Sequence, residues 1–125
     1  MRAHQAIIVL CSLALAWGGF QSAWGHAFPE RADPPAGAAL AVAPAFVRIW
    51  FDAALEPAFS SLRVQTARGQ PIPHEEGQVD AGDATLLTVH LPPLASGTYR
   101  VLWSVVARDG HRTEGTYTFT VQQGP

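Results

Sequence analysis

Two segments near the end of the chain, residues 98–107 and 113–121, alternate apolar and polar positions with a period of two. Their apolar positions are Tyr99, Val101, Trp103 and Val105 in the first segment, and Tyr117, Phe119 and Val121 in the second. A period of two is typical of a strand that presents one face to a hydrophobic core. Asp109 and Gly110 lie between the segments and favour a tight turn. The pattern therefore predicts a β-hairpin.

Three further segments have the composition of β-strands: residues 46–51, 61–66 and 85–91. The first is almost continuously apolar, which predicts a strand that is buried on both faces or covered by a loop. The other two alternate apolar and polar residues, which predicts strands with one buried face. Residues 27–45 are rich in alanine and proline and are expected to be extended and partly irregular, and residues 69–82 are expected to form a polar loop.

The strand pattern as a whole predicts the fold class. Short strands with turn signals between them, and no segment with a helical period, are typical of a β-sandwich. The tripeptide Gly97-Thr98-Tyr99 opens a predicted strand in the way a tyrosine corner does in Greek-key sandwiches. We therefore expect an all-β domain with a Greek-key β-sandwich.

The first 25 residues are predicted to be a secretory signal peptide that is cleaved from the domain. Arg2 precedes an apolar stretch, residues 6–17, that is too short to span a bilayer comfortably. Small residues then offer two cleavage sites, one before His26 and one before Phe28. With the first of these, the exported domain is residues 26–125, and we expect no membrane insertion of that domain.

Composition narrows the chemistry that the domain can perform. The formal net charge is -2, so a basic surface for nucleic acid is not indicated. The only cysteine, Cys11, and the only methionine, Met1, lie in the predicted signal peptide, so the exported domain has no sulfur ligand and no disulfide. The chain has neither a Gly-x-Ser-x-Gly motif nor a glycine-rich phosphate loop, and we expect that it is not an enzyme.

The strongest candidate chemistry is a copper site. Cleavage before His26 creates an α-amine beside its imidazole, and these two nitrogens can form a chelate ring on one metal ion. Asp109 and His111 are two residues apart, so their side chains point to the same side of a strand. Three nitrogens and one carboxylate oxygen suit Cu(II), which prefers tetragonal nitrogen and oxygen ligands.

The most specific motif runs from Leu94 to Gly115 and reads Leu-x-x-Gly-Thr-Tyr-x-Val-x-Trp-x-Val-Val-x-x-Asp-Gly-His-x-x-x-Gly. Together with the start at His26 and the strand segment 47–55, this motif resembles the CopC family of periplasmic copper-binding proteins. The resemblance implies an immunoglobulin-like or cupredoxin-like Greek-key β-sandwich. It also favours cleavage before His26, because members of the family begin their mature chain with histidine.

By this resemblance, the Cu(II) ligands are His26, through its amine and imidazole, Asp109 and His111. The loop that is rich in methionine in Cu(I)-binding members corresponds to residues 68–83, which contain no methionine, so the chain resembles the Cu(II)-only members. Asp52 stands where some members have an additional acidic residue, and it is expected to act as an outer ligand or as a support for the ligands. The implied function is that of a periplasmic carrier or buffer in copper homeostasis or resistance, with a CopD-type membrane copper transporter as a separate partner.

Two other functions remain open at this stage. An N-terminal histidine with a second histidine is also the ligand set of copper oxygenases that cleave polysaccharides, and a β-sandwich without a metal can serve as an exported interaction domain. His74 and His90 match no ligand position of the family, and both are expected to be exposed.

Overall fold

Residues 26–124 form a sandwich of two four-stranded β-sheets in the computed structural model of the protein. The strands are β1 (Pro29–Asp33), β2 (Ala39–Val42), β3 (Phe46–Phe51), β4 (Ser61–Thr66), β5 (Gln78–Val79), β6 (Leu86–His90), β7 (Gly97–Val106) and β8 (Arg112–Gln123). A single 3₁₀ turn, Pro57–Phe59, is the only helical element within residues 26–124, and no helix there is long and apolar enough to cross a membrane. The predicted signal peptide, residues 1–25, lies outside the described residues.

The two sheets confirm the predicted all-β sandwich. Sheet A has the strand order β1-β3-β6-β5, and sheet B has the order β2-β8-β7-β4. Neighbouring strands are antiparallel except for β2 and β8, which run parallel. The chain passes from one sheet to the other between most consecutive strands, so the inward faces of both sheets share one core.

Most of the inward side chains that the alternating segments predicted lie in the hydrophobic core, while Trp103 and Tyr117 are half-buried and pack against it. The largest contributions from β4, β6, β7 and β8 are Leu62, Val64, Leu87, Val89, Tyr99, Val101, Val105, Phe119 and Val121, all buried. Their burial confirms the inward face that the period-two pattern predicted for each of these strands.

The strand β3 differs from its prediction. Its inward residues Val47, Ile49 and Phe51 are buried, but its outward side chains are only half-buried. Arginine side chains stack on the outward aromatic rings of this strand. The segment is almost continuously apolar because aromatic residues stand on its outer face, where guanidinium groups lie against them.

Residues 27–45 are more regular than predicted, because they contribute an edge strand to each sheet. β1 pairs with β3 in sheet A, and β2 pairs with β8 in sheet B. Ala27, two residues before β1, is fully buried in the core. The predicted polar loop 69–82 is interrupted by the short strand β5, which pairs with β6.

β7 and β8 form the predicted hairpin, with Tyr99 opposite Phe119 and Trp103 opposite Gly115. A Cβ atom at Gly115 would lie 2.6 Å from Cζ2 of Trp103, so the position needs a residue without a side chain. The hydroxyl of Tyr99 donates a hydrogen bond to the carbonyl oxygen of Ala95, at 2.7 Å. This bond to a residue just upstream confirms the predicted tyrosine corner.

Candidate metal centre

The turn of the β7–β8 hairpin is held by backbone hydrogen bonds. The N–H of Gly110 donates to the carbonyl oxygen of Ala107 at 2.8 Å, and the N–H of Ala107 donates to the carbonyl oxygen of His111 at 3.0 Å. Gly110 has a φ of 92°, a left-handed conformation that glycine adopts without steric cost. Leu55 forms an isolated bridge with Ala107, which attaches the turn to the segment after β3.

Asp109 and His111 contact each other at this turn. Oδ1 of Asp109 accepts the backbone N–H of His111 at 3.1 Å, and Oδ2 lies 2.8 Å from Nδ1 of the same residue. The backbone hydrogen bond from His111 is the main cause that lowers the pKa of the Asp109 carboxyl. Loss of solvation opposes this shift in part, while the imidazoles of His111 and His26 add to it. The side chain of His111 is 60% exposed, so this pair is accessible from solvent.

His26 lies against the same turn. The centroid of its ring is 5.0 Å from that of His111, and the two rings are nearly perpendicular, at 85°. Phe28 also packs edge-on against His26, with ring centroids 5.8 Å apart. In the full chain the nitrogen of His26 forms a peptide bond with Gly25, so an α-amine arises at this corner of the sandwich only after cleavage.

The residues directly after His26 are fixed in place. Ala27 is fully buried, and its carbonyl oxygen accepts a hydrogen bond from the hydroxyl of Thr113 at 2.6 Å. The backbone N–H of Phe28 donates to Oδ1 of Asp52 at 2.8 Å, and the N–H of Asp52 donates to the carbonyl oxygen of Phe28 at 2.9 Å. Asp52 is thus a support for the segment that carries His26, which sequence reasoning gave as one of its two roles.

The three predicted ligand residues are neighbours, but their donor atoms do not converge on one point. Within residues 26–124, no group of three or more histidine, cysteine, aspartate or glutamate side chains is arranged to hold a metal ion. Asp109 and His111 instead satisfy each other through their hydrogen bond. The α-amine that would complete the predicted ligand set would form only on cleavage before His26.

The other two histidines of the domain differ from each other. His90 is exposed, as predicted. The prediction is wrong for His74, which is half-buried: its Nε2 accepts the backbone N–H of Val64 at 3.1 Å, and its Nδ1 lies 2.6 Å from the carbonyl oxygen of Glu75. The surrounding loop has no periodic pattern, so nothing in the sequence indicated that this side chain folds back onto the edge of β4.

Comparison with known protein families shows to which family the chain belongs. The model of the CopC domain matches residues 29–122. The chain belongs to the CopC family. Protein YobA of Escherichia coli strain K12 is 34% identical over 102 residues, which cover 81% of this chain and 82% of YobA. Copper resistance protein C of Escherichia coli is 32% identical over 109 residues, which cover 81% of this chain and 85% of that protein.

A solved CopC structure has the same fold. The crystal structure of CopC from Methylosinus trichosporium OB3b is similar with a TM-score of 0.74 and 36% sequence identity, and the match covers 78% of this chain and 95% of that one. The family resemblance drawn from the sequence motif is therefore confirmed, together with the β-sandwich. Membership of the CopC family establishes a copper-related function for the protein.

Proposed function

We propose that this chain is a periplasmic carrier or buffer of Cu(II) in copper homeostasis or resistance, and that it is not an enzyme. In this proposal the signal peptide is cleaved after Gly25, and the domain 26–125 binds one Cu(II) ion. The ligands are the amine and imidazole of His26, the imidazole of His111 and the carboxylate of Asp109. Membership of the CopC family and the relation to copper resistance protein C support a role with copper.

The observation that carries the proposal is the position of His26 beside the hairpin turn. Its ring lies 5.0 Å from that of His111, although the two residues belong to opposite ends of the domain sequence. Asp109 contacts His111 at 2.8 Å. Two ligands bound at about 2.0 Å and at a right angle to each other are also about 2.8 Å apart. The two donor atoms thus already have the spacing of adjacent ligands on one ion.

The donor set favours Cu(II) over Cu(I). Cu(I) prefers thiolate and thioether ligands, and residues 26–125 contain neither cysteine nor methionine. The backbone hydrogen bond from His111 lowers the pKa of Asp109, which favours the ionised carboxylate that the proposed site needs. An anionic ligand stabilises the higher charge of Cu(II).

Asp52 and Thr113 have a positioning role in this proposal. Their hydrogen bonds to Phe28 and Ala27 hold the chain on the C-terminal side of the first residue. A chelating N-terminal histidine then has only its own side chain to orient. A site with this support loses less conformational freedom when the ion binds.

The exposed position of the turn supports a carrier that exchanges its ion with another protein. His111 is 60% exposed, so a second set of ligands can approach the ion without displacement of the core. We propose a CopD-type membrane copper transporter, encoded as a separate chain, as the partner that takes or supplies the copper.

The test compares two versions of the domain, one that begins at His26 and one with a single glycine added before it. Each is titrated with Cu(II) against a competing chelator and examined by electron paramagnetic resonance. We expect the first to bind one ion tightly with a nitrogen-rich tetragonal spectrum, and the second to bind it at least about 100-fold more weakly, since the amine is displaced from the chelate ring. Equal binding by both versions would show that the amine of His26 is not a ligand.

A further inference from the structure

The outer face of sheet A carries arginine side chains stacked on aromatic rings. The guanidinium carbon of Arg31 lies 3.8 Å from the ring centroid of Trp50, and that of Arg48 lies 4.5 Å from the ring centroid of Phe46. His90 packs against the ring of Phe46, with centroids 4.6 Å apart. We call these five side chains the arginine–aromatic face.

The strand register makes this face continuous across three strands. Arg31 of β1 lies opposite Trp50 of β3, and Phe46 of β3 lies opposite His90 of β6. Arg31 and His90 are exposed, and the other three side chains are half-buried. The result is a continuous surface on which guanidinium groups lie over aromatic rings.

The two guanidinium groups have unused hydrogen-bond donors. Asp33 lies opposite Arg48 in the strand register. The only ion pair within residues 26–124 is nevertheless that of His111 with Asp109. Arg48 therefore stacks on an aromatic ring instead of pairing with its cross-strand neighbour. A guanidinium group that lies over an aromatic ring can still bind a carboxylate in a bidentate manner through its N–H groups, and its restricted motion lowers the entropy lost on binding.

We propose that the arginine–aromatic face docks an acidic segment of a partner polypeptide. Charge complementarity carries this assignment: the face presents two free guanidinium groups although the chain as a whole has a net charge of -2. Carboxylates of the partner would pair with the guanidinium groups, and its apolar side chains would contact the half-exposed ring edges. The face includes none of the proposed copper ligands, so the proposal does not depend on copper binding.

An anionic bilayer fits this face less well than a polypeptide. Each basic side chain near an acidic membrane contributes roughly fivefold to binding, and recognition of such membranes uses clusters of about four to eight basic residues. The face has two arginines. Its aromatic rings lie beneath the guanidinium groups, so they do not project toward the acyl chains of a membrane.

The two tryptophans of the domain, Trp50 and Trp103, provide the readout, because Trp50 belongs to the face and Trp103 does not. The domain is titrated in two-dimensional NMR with a capped heptapeptide that alternates four glutamates with three phenylalanines, and with the same peptide carrying lysine for glutamate. We expect saturable shifts of the Trp50 indole and of the β1 and β3 amides with the glutamate peptide only. Raising the salt from about 20 to about 300 mM should weaken this binding several-fold.

Charge reversal on the face is compared with charge reversal elsewhere. Arg31→Glu and Arg48→Glu should each weaken binding of the glutamate peptide about tenfold, and Arg48→Lys should weaken it less than Arg48→Glu. Arg100→Glu on the outer face of sheet B changes the net charge equally, and it should alter the affinity less than about twofold. Far-UV circular dichroism verifies that each variant is folded.

Several outcomes would overturn the proposal. They are the absence of shifts at millimolar peptide, shifts centred on other residues, or equal weakening by Arg100→Glu. Sedimentation with phosphatidylglycerol vesicles that depends on Arg31 and Arg48, without binding of the peptide, would assign the face to a lipid surface. Dimerisation that Arg48→Glu abolishes would assign it to a second copy, whose acidic stretch 75–83 would then be the occupant.

Discussion

The two ends of the β7–β8 hairpin are held by different kinds of contact. At the turn, Asp109 and His111 form hydrogen bonds at the surface, and His26 lies against them. At the other end Tyr99 is 5% exposed, stacks on Phe119 with ring centroids 5.6 Å apart, and donates its hydroxyl to the backbone. The proposed ion site and the Tyr99–Phe119 aromatic pair therefore lie at opposite ends of the hairpin, so a change at one end should leave the other intact.

The largest effect is expected from Phe119→Ala at the buried end. Removing a buried phenylalanine costs about 3–5 kcal/mol, which corresponds to a decrease in Tm of roughly 15–30 °C for a domain of this size. The exposed neighbour Thr118 serves as the control, and Thr118→Ala should change Tm little. If Cu(II) affinity measured well below the Tm fell in parallel with stability, the two ends would not be separate.

His111→Ala is the reciprocal change at the turn. Loss of this proposed ligand should lower the Cu(II) affinity at least about 100-fold, while Tm without metal stays within about 2 °C of the parent, since the side chain is 60% exposed. His90→Ala removes an exposed histidine from the outer face of sheet A and should leave the affinity unchanged. Competition titrations measure the Cu(II) affinity of the His111→Ala and His90→Ala variants, and calorimetry measures their Tm. Equal losses of affinity in the two variants would argue against a ligand role for His111.

Asp52→Ala tests whether Asp52 positions the segment that carries His26. Loss of the hydrogen bond to Phe28 should weaken Cu(II) binding about tenfold and lower the free energy of unfolding by about 1 kcal/mol. Asp52→Asn keeps an acceptor oxygen for the Phe28 N–H, so it should restore most of the affinity if the residue only positions His26. An affinity as low as that of the alanine variant would identify the charged carboxylate as a ligand.

A smaller effect should distinguish the two tyrosines of the hairpin. Tyr99→Phe removes the hydrogen bond to Ala95 and should cost about 1 kcal/mol in the free energy of unfolding. The hydroxyl of Tyr117 is buried without a hydrogen-bond partner among residues 26–124, and burial raises its pKa. Tyr117→Phe should therefore leave the stability unchanged or increase it. Urea denaturation measures the free energy of unfolding of both variants. An equal decrease in the two variants would contradict this prediction.

The smallest effect is expected for the stability of the fold at low pH. Hydrogen bonds from the Thr85 hydroxyl and N–H lower the pKa of Asp83, in a loop whose Ala84 carbonyl oxygen binds the Leu55 N–H beside the turn. Because the folded pKa is the lower one, this carboxylate stabilises the fold above about pH 4, and the contribution disappears as the pH falls through the folded value. Asp83→Asn should therefore unfold more readily than the parent at pH 7, with the difference decreasing as the pH falls through the folded pKa of Asp83. A difference that persists in acid would assign the effect to something other than charge.

Features with a local pattern were predictable from the sequence. The alternation in residues 98–107 and 113–121 placed both strands of the hairpin and their inward residues, and the tyrosine corner follows from three consecutive residues. The meeting of His26 with His111 has no local signal. It was expected only from the chemistry of the two residues and from the CopC resemblance. The alternation of apolar and polar residues along a strand does not indicate which distant segments come into contact.

Features that depend on distant partners were missed. β2 pairs with β8 across most of the domain sequence, so an alanine-rich stretch with weak strand preference becomes regular only in the folded sheet. The cover of the β3 aromatic rings by Arg31 and Arg48 was missed for the same reason, because stacking depends on rotamers rather than on spacing. His74 was misjudged because a side chain that accepts a backbone N–H has no sequence signature.

If the chain is cleaved before His26 as proposed, the burial of Ala27 makes the fold sensitive to the position of the cut. This residue fills part of the core, and its carbonyl oxygen accepts a hydrogen bond from the hydroxyl of Thr113. A chain cut two residues later, before Phe28, would lose both the proposed ligand His26 and the buried Ala27. Such a product would be unable to carry an ion and also less resistant to proteases of its compartment. A single small side chain would thus link correct maturation to survival of the protein.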